Sequence, residues 1–207
     1  MPTVVDEVSI KIYQKKILAV EGKDEVNYFE ALLKCVGISD VQIIDVAGRG
    51  NYGKIIPALI RTKGFSEVIA LAIVCDADKD ANAAFESIRN ILVKLSLEPP
   101  DRGNMFSSGN PKIGIFIMPG NSEAGMLEDL CLRTVGDHPA MGCVEAFMEC
   151  ILRFGDPPKN PAKAKAQVFL AAMPDIANCV GIGAQKGCWN FDSLELNELK
   201  SFLANLI

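Results

Sequence analysis

Histidine is nearly absent from this chain, with His138, in the loop-like stretch "GDHPAMG", as its one copy. A histidine-based metal site or a Ser-His-Asp triad would have to use that residue. The cysteines are Cys35, Cys75, Cys131, Cys143, Cys150, Cys179 and Cys188, an odd number, and none are spaced as C-x-x-C. That argues against a disulfide framework or a zinc site and fits a reducing cytoplasm. The opening "MPTVVDEVSIKIYQKK" holds no long apolar stretch of the kind a signal peptide needs. No run approaches the roughly 18 apolar residues of a membrane span. Positive charge is also short: 21 Lys and Arg stand against 26 Asp and Glu, for a formal charge of -5 and a pI of about 5.0. That is not the charge of a protein that coats nucleic acid. Bound divalent metals would offset several acids, so a nucleic-acid substrate stays open.

What the chain does have is apolar material. Its 207 residues are 49% hydrophobic, enough for a sizeable core in one domain, or in one domain with an appendage. "KKILAVEG" reads as a buried strand ending near Glu21. "KDEVNYFEALLKCVG" follows with Val26, Phe29, Leu32, Leu33 and Val36 at helical spacing and Gly37 as a stop. "VQIIDV" is a second strand, "AGRGNYG" a loop, and "KIIPALIRTKG" a helix that Pro57 kinks or shortens. "EVIALAIVCD" is a third strand, continuously apolar as inside a parallel sheet. The helix "ANAAFESIRNILVKLSL" stops at Pro99 and Pro100, and the polar loop "DRGNMFSSGNP" leads to a fourth strand, "KIGIFIMP". "GMLEDLCLRTV" then opens a helix.

Strand and helix thus alternate up to about residue 133, the signature of a parallel sheet with helices on both faces. After residue 134 only helices are expected: "CVEAFMECILRF", "AKAKAQVFLAAM" and "DSLELNELKSFLANL". The expectation is an α/β core of about four strands over residues 1–133, with residues 134–207 as a helical cap packed on it. No fifth strand, internal repeat or low-complexity tract is evident.

The acids fall at particular places in this layout. In open parallel sheets ligands sit beyond the carboxyl ends of the strands. Glu21 ends the first strand and Asp76 the third, and adjacent strands lie about 4.8 Å apart. Asp78, two residues on, can face the same side as Asp76. Glu128 and Asp129 come a few residues after the fourth strand. Carboxylates beside apolar strands are costly without a positive partner. Mg²⁺ or Mn²⁺ would supply one, being hard cations that take oxygen ligands. Asp80, in contrast, reads best as the N-cap of the helix after it.

Two other readings of "DADKDA" fail. An EF-hand loop needs Gly at its sixth position and Glu at its twelfth, where this chain has Ala81 and Ser87. A phosphatase of the haloacid dehalogenase type would carry its Asp-x-Asp after the first strand, not the third. "GRGNYG", Gly48 to Gly53, matches the G-x-G-x-x-G of dinucleotide sites. It follows the second strand, however, and the expected acid, near Glu67, falls at the wrong end of the sheet. A tight strand-to-helix turn is the plainer reading. The alternative is a phosphate cradle at a helix start, with Gly48, Gly50 and Arg49 as contacts.

"AVEGKDE", then "IVCDAD", then "GMLEDL" resembles the Toprim domain, the module shared by topoisomerases, primases and OLD-type nucleases. Its hallmark Glu-Gly and Asp-x-Asp are matched by Glu21-Gly22 and Asp76-Ala77-Asp78. OLD-type members also look like "VEG-x-x-E", which Glu25 fits, and carry a further acid, which Glu128 fits. The chain is similar as well to a small bacterial group of Toprim-like proteins. The resemblance covers roughly residues 15 to 133. It implies a Toprim-like Rossmannoid sheet and Mg²⁺ or Mn²⁺ held by Glu21, Asp76, Asp78 and Glu128, with Glu25, Asp80 and Asp129 as accessory acids. It also implies a downstream lysine, for which Lys163, Lys165 and Lys186 are candidates; Lys165 is counted with the phosphate contacts. The chain departs from the larger relatives: no G-x-x-x-x-G-K-[ST] ATPase motif occurs, and no zinc-binding or tyrosine-bearing part is visible.

Two functions of different class follow. One is metal-dependent phosphodiester chemistry on nucleic acid, in which Glu21, Asp76 and Asp78 are catalytic. The other is a non-catalytic nucleotide- or partner-binding module that keeps the Toprim shape. The resemblance also allows a separate ATPase chain as partner.

Overall fold

The structure, a computed structural model, describes residues 10–206. The stretch read as lacking a leader's apolar core lies largely outside them. The sheet is built from β1 (Lys16–Val20), β2 (Val41–Asp45), β3 (Ala70–Asp76), β4 (Met105–Phe106) and β5 (Lys112–Met118). Its spatial order is β2-β1-β3-β5-β4. β2, β1, β3 and β5 are parallel, and β4 adds to β5 antiparallel, Met105 opposite Ile115 and Phe106 opposite Gly114. Four strands were expected; the fifth has only two residues, too short to show a period, and it lies inside the polar loop.

The connections explain the apolar runs. Residues of alternating parity face opposite sides of the sheet. Leu18, Val20, Val74 and Phe116 face one core, and Ile17, Ala19, Ile73 and Ile115 the other. Helices α2 (Tyr52–Arg61) and α3 (Ala81–Lys94) cover the second side. Pro57 lies inside α2, which nevertheless runs on to Arg61. Helices α1 (Lys23–Cys35) and α4 (Leu127–Thr134) cover the first. Both faces of β1, β3 and β5 are buried, so these strands carry no polar alternation.

The remaining helices are α5 (Ala140–Leu152), α6 (Pro161–Ala171), α7 (Val180–Gln185) and α8 (Asn197–Ala204). They join the first core through Val144, Phe169, Val180 and Phe202. α7 was not expected: "VGIGAQ" is six residues with two glycines, a poor helix by propensity. α8 covers the sheet edge, where Phe202 stacks on Phe106 at 4.9 Å. Among the described residues, no helix is long and apolar enough to cross a membrane.

β1 leads to β2 on one flank, whereas the chain crosses back to place β3 on the other flank of β1. The carboxyl ends of β1 and β3 are therefore the switch point of the sheet, where such folds open a crevice.

Candidate functional site

Glu21 follows β1 directly and Asp76 is the last residue of β3, so the pairing of these strands sets the two acids side by side. Glu21 Oε1 accepts a hydrogen bond from the Asp76 amide at 3.1 Å. Asp76 is 8% exposed, and its Oδ1 accepts from the Leu127 amide at 3.0 Å. That bond ties the end of β3 to the first residue of α4. Glu25 and Glu128 sit in the first turns of α1 and α4, where the helix N-terminus favours negative charge.

These four carboxylates disturb one another. Burial pushes Asp76 up to about 8, followed by the charges of Glu21, Glu25 and Glu128, while the Leu127 amide works the other way. Glu21, Glu25 and Glu128 are raised too, each first by burial. Lys163, on α6, brings Nζ to 3.7 Å from Glu128 Oε1 and lowers both Glu128 and Glu25. Of the three candidate lysines, Lys163 is the one that meets the acids. Lys165 pairs with Glu145 at 2.8 Å, and Lys186 donates to the Ile176 carbonyl at 2.8 Å.

Asp78 and Asp129 act on this group by charge, but they and Asp80 have partners of their own. Asp78 has φ 53°, a left-handed conformation that Asp tolerates better than most residues. Its backbone bridges to Gly125, with 2.8 Å hydrogen bonds in both directions. Its carboxylate is bonded to the Arg49 guanidinium. Asp80 caps α3 by accepting from the Ala83 amide at 2.9 Å. Asp129 closes the start of α4 by accepting from Met126 at 2.9 Å.

The glycine loop works as a turn. Gly48 has φ 108°, which a side chain would strain, and its amide donates to the Glu21 carbonyl at 2.6 Å. A Cβ at Gly50 would meet nothing, and one at Gly53 would come no closer than 4.0 Å to Ile91. The close packing that a dinucleotide fingerprint needs is absent at both. Arg49 leaves this loop toward Asp78.

Sequence reading missed Asp24. Its Oδ1 accepts from the Gly181 amide at 2.5 Å and its Oδ2 from Val180 at 3.2 Å. This carboxylate thereby caps α7, whose N-cap position is Cys179 and makes no side-chain cap of its own. An acid in the first turn of α1 was visible in the sequence; its partner, more than 150 residues on, was not.

The donors at the centre are carboxylate oxygens. The adjoining thiols, Cys75 and Cys131, are pushed far up by burial and by these same acids, so they stay protonated. Hard oxygen donors with excess negative charge fit Mg²⁺ or Mn²⁺ by type. Among the described residues, no three Asp, Glu, His or Cys side chains stand in a ready metal-holding arrangement.

A family model described as "Protein of unknown function (DUF3226)" matches residues 15–207. The chain belongs to that family. No curated protein matches it significantly. In fold it is similar to the C-terminal region of the Burkholderia pseudomallei OLD protein, with a TM-score of 0.51 at 14% identity over 95% of this chain and 100% of that one. The C-terminal region of the Xanthomonas campestris pv. campestris OLD protein aligns with a TM-score of 0.38 at 13% identity, over 95% and 96% of the chains. The first likeness shows the α/β fold, C-terminal helices included, since it spans the family match almost end to end.

Proposed function

We propose that this DUF3226 chain performs divalent-metal-dependent phosphodiester chemistry on nucleic acid, centred on Glu21, Asp76 and Glu128, with Asp78 joining them. One observation carries the reading. Carboxylates from three separate segments are brought toward the switch point, where burial raises all of them and Asp76 also feels the charges of Glu21 and Glu128. The strongest cations acting on them are the Lys163 and Arg49 side chains. Such a cluster is relieved by protonation or by a bound cation, and a divalent metal would relieve it most. The Toprim-like order of Glu21-Gly22, Asp76-Ala77-Asp78 and Glu128 supports the same assignment.

When bound, Mg²⁺ or Mn²⁺ would polarise a phosphoryl oxygen, lower the pKa of water and stabilise the leaving oxygen. The protein supplies the rest. The Asp76 amide orients Glu21, and the Leu127 amide orients Asp76. Glu25, raised by burial and by its acidic neighbours, is suited to hold or move a proton at its carboxylate. Lys163, anchored by Glu128, sets a positive charge where phosphoryl charge develops.

The test is nicking of supercoiled plasmid with Mn²⁺ or Mg²⁺, beside an Asp76→Ala, Asp78→Ala double mutant. Nicking is expected to fall by on the order of a hundredfold or more in the mutant. A mutant that nicks like the wild type overturns the assignment. A second reading, a nucleotide- or partner-binding module without turnover, is favoured by the lack of a ready three-carboxylate arrangement. Stabilisation by nucleotides in thermal-shift measurements, independent of Mg²⁺ and without nicking, is what that reading expects.

A further inference from the structure

A groove of about 870 Å³ opens on the far side of Asp78, between the starts of α3 and α6, and is lined by Arg49, Asp78, Lys79, Met126, Lys159 and Pro161 among others. Its acids are already engaged. Asp78 is held by Arg49, Asp80 caps α3, and Asp129 closes α4. Its lysines are not: among the described residues, neither Lys79 nor Lys159 pairs with a carboxylate, and both are exposed. The groove therefore offers two lysines without carboxylate partners beside an apolar floor that includes Ala77, Met126 and Pro161, while its three acids balance the formal charge of Arg49, Lys79 and Lys159. Arg49 lies between the two sites. It lines the groove, bonds Asp78, and acts on Glu21.

We propose that this groove seats the phosphates of a nucleic-acid strand, and that Arg49 is exchanged from Asp78 to a strand phosphate on binding. A guanidinium pairs with a phosphate as readily as with a carboxylate. The exchange frees Asp78 at the moment a phosphodiester arrives beside Glu21 and Asp76. It accounts for a cluster with the donors of a metal centre but no ready arrangement of three. The consequence of binding rests on the function proposed above; the binding itself does not.

The test leaves metal out. A short, 5′-labelled single-stranded oligonucleotide is titrated in EDTA and read by fluorescence anisotropy. Lys79→Gln with Lys159→Gln is expected to weaken binding by about tenfold, more at low salt than at high. Asp78→Asn is expected to tighten it, because Arg49 no longer has to leave a partner. Asp80→Asn removes the same charge from the same groove and keeps the helix cap, so it controls for simple electrostatics. The expected excess of Asp78→Asn over Asp80→Asn is severalfold, and in an Arg49→Gln background it vanishes, the mark of direct coupling. Unchanged binding in the double lysine variant overturns the groove. Equal effects of Asp78→Asn and Asp80→Asn overturn the exchange. Displacement by a mononucleotide at equal phosphate concentration overturns the strand as ligand. If the plasmid assay finds no metal-dependent nicking while these binding results hold, the proposed chemistry fails and the groove stands.

Discussion

At the scale of single residues, Asp76 links stability to pH. Its folded pKa of about 8 lies above the ordinary 3.8, so the folded protein binds this proton more tightly than the unfolded chain does. The stability it contributes is complete below about pH 4 and is lost as pH rises toward about 8. Metal-free protein is therefore expected to melt progressively lower from about pH 5 to about pH 8. Asp76→Asn should flatten that slope and raise the melting temperature at the upper end by several degrees, at about 2–4 °C per kcal/mol for a chain of this size. Mn²⁺ should stabilise the wild type more at the upper pH than at the lower, in calorimetry at both. A slope that survives in Asp76→Asn would assign the effect to another group. Tyr28 gives a second case. Its hydroxyl is buried with no hydrogen-bond partner, and the polar group acting on it is the Cys131 thiol. Tyr28→Phe removes an unpaired oxygen, so unfolding in urea should show a stability equal to the wild type or up to about 1 kcal/mol higher. Legibility at this scale was uneven. Glu21, Asp76 and Glu128 were readable because strand ends and helix starts fix their place. The turn of Asp78 toward Arg49 was not, because a left-handed backbone leaves no mark on an aspartate's identity.

At the scale of elements, the contact between α1 and α7 is the closest in the described structure to depend on one missing side chain. A Cβ at Gly181 would meet the Asp24 carbonyl, and would lie 2.6 Å from Asp24 Oδ1 and 2.7 Å from Asn27 Cβ. Backbone would have to move. Gly181→Ala is expected to cost about 1–3 kcal/mol in chemical denaturation. Asp24→Ala, which removes the cap but adds no bulk, should cost about 1 kcal/mol. Equal costs would mean that the cap alone holds α7. The long strands and helices were legible because both faces of the sheet are buried and the apolar periods run over many residues. β4 and α7 were not, because each is shorter than the pattern that would reveal it and is held by distant partners: Phe106 over Gly114 and under Phe202, Gly181 against Asp24.

At the scale of the molecule, the helices after residue 134 complete one face of the sheet. Phe169, Leu170, Phe202 and Leu203 are fully buried in the same core as Leu18, Val20, Val74 and Phe116. A fragment ending at residue 134 would expose that face to water. It is expected to show no cooperative transition in urea, where the whole chain shows one. A sharp transition in the fragment would make residues 15–133 a unit able to fold alone.

The path of the chain also sets an order of events during synthesis. Glu21, Asp76 and Glu128 leave the ribosome before Lys163, and Asp24 precedes Gly181 by 157 residues. A nascent chain thus carries Glu128 before the lysine that tempers it, and Asp24 before the backbone that it will hold. Until α6 is made, water or counterions must shield Glu128. For this protein, folding of the final quarter also brings the lysine that meets Glu128.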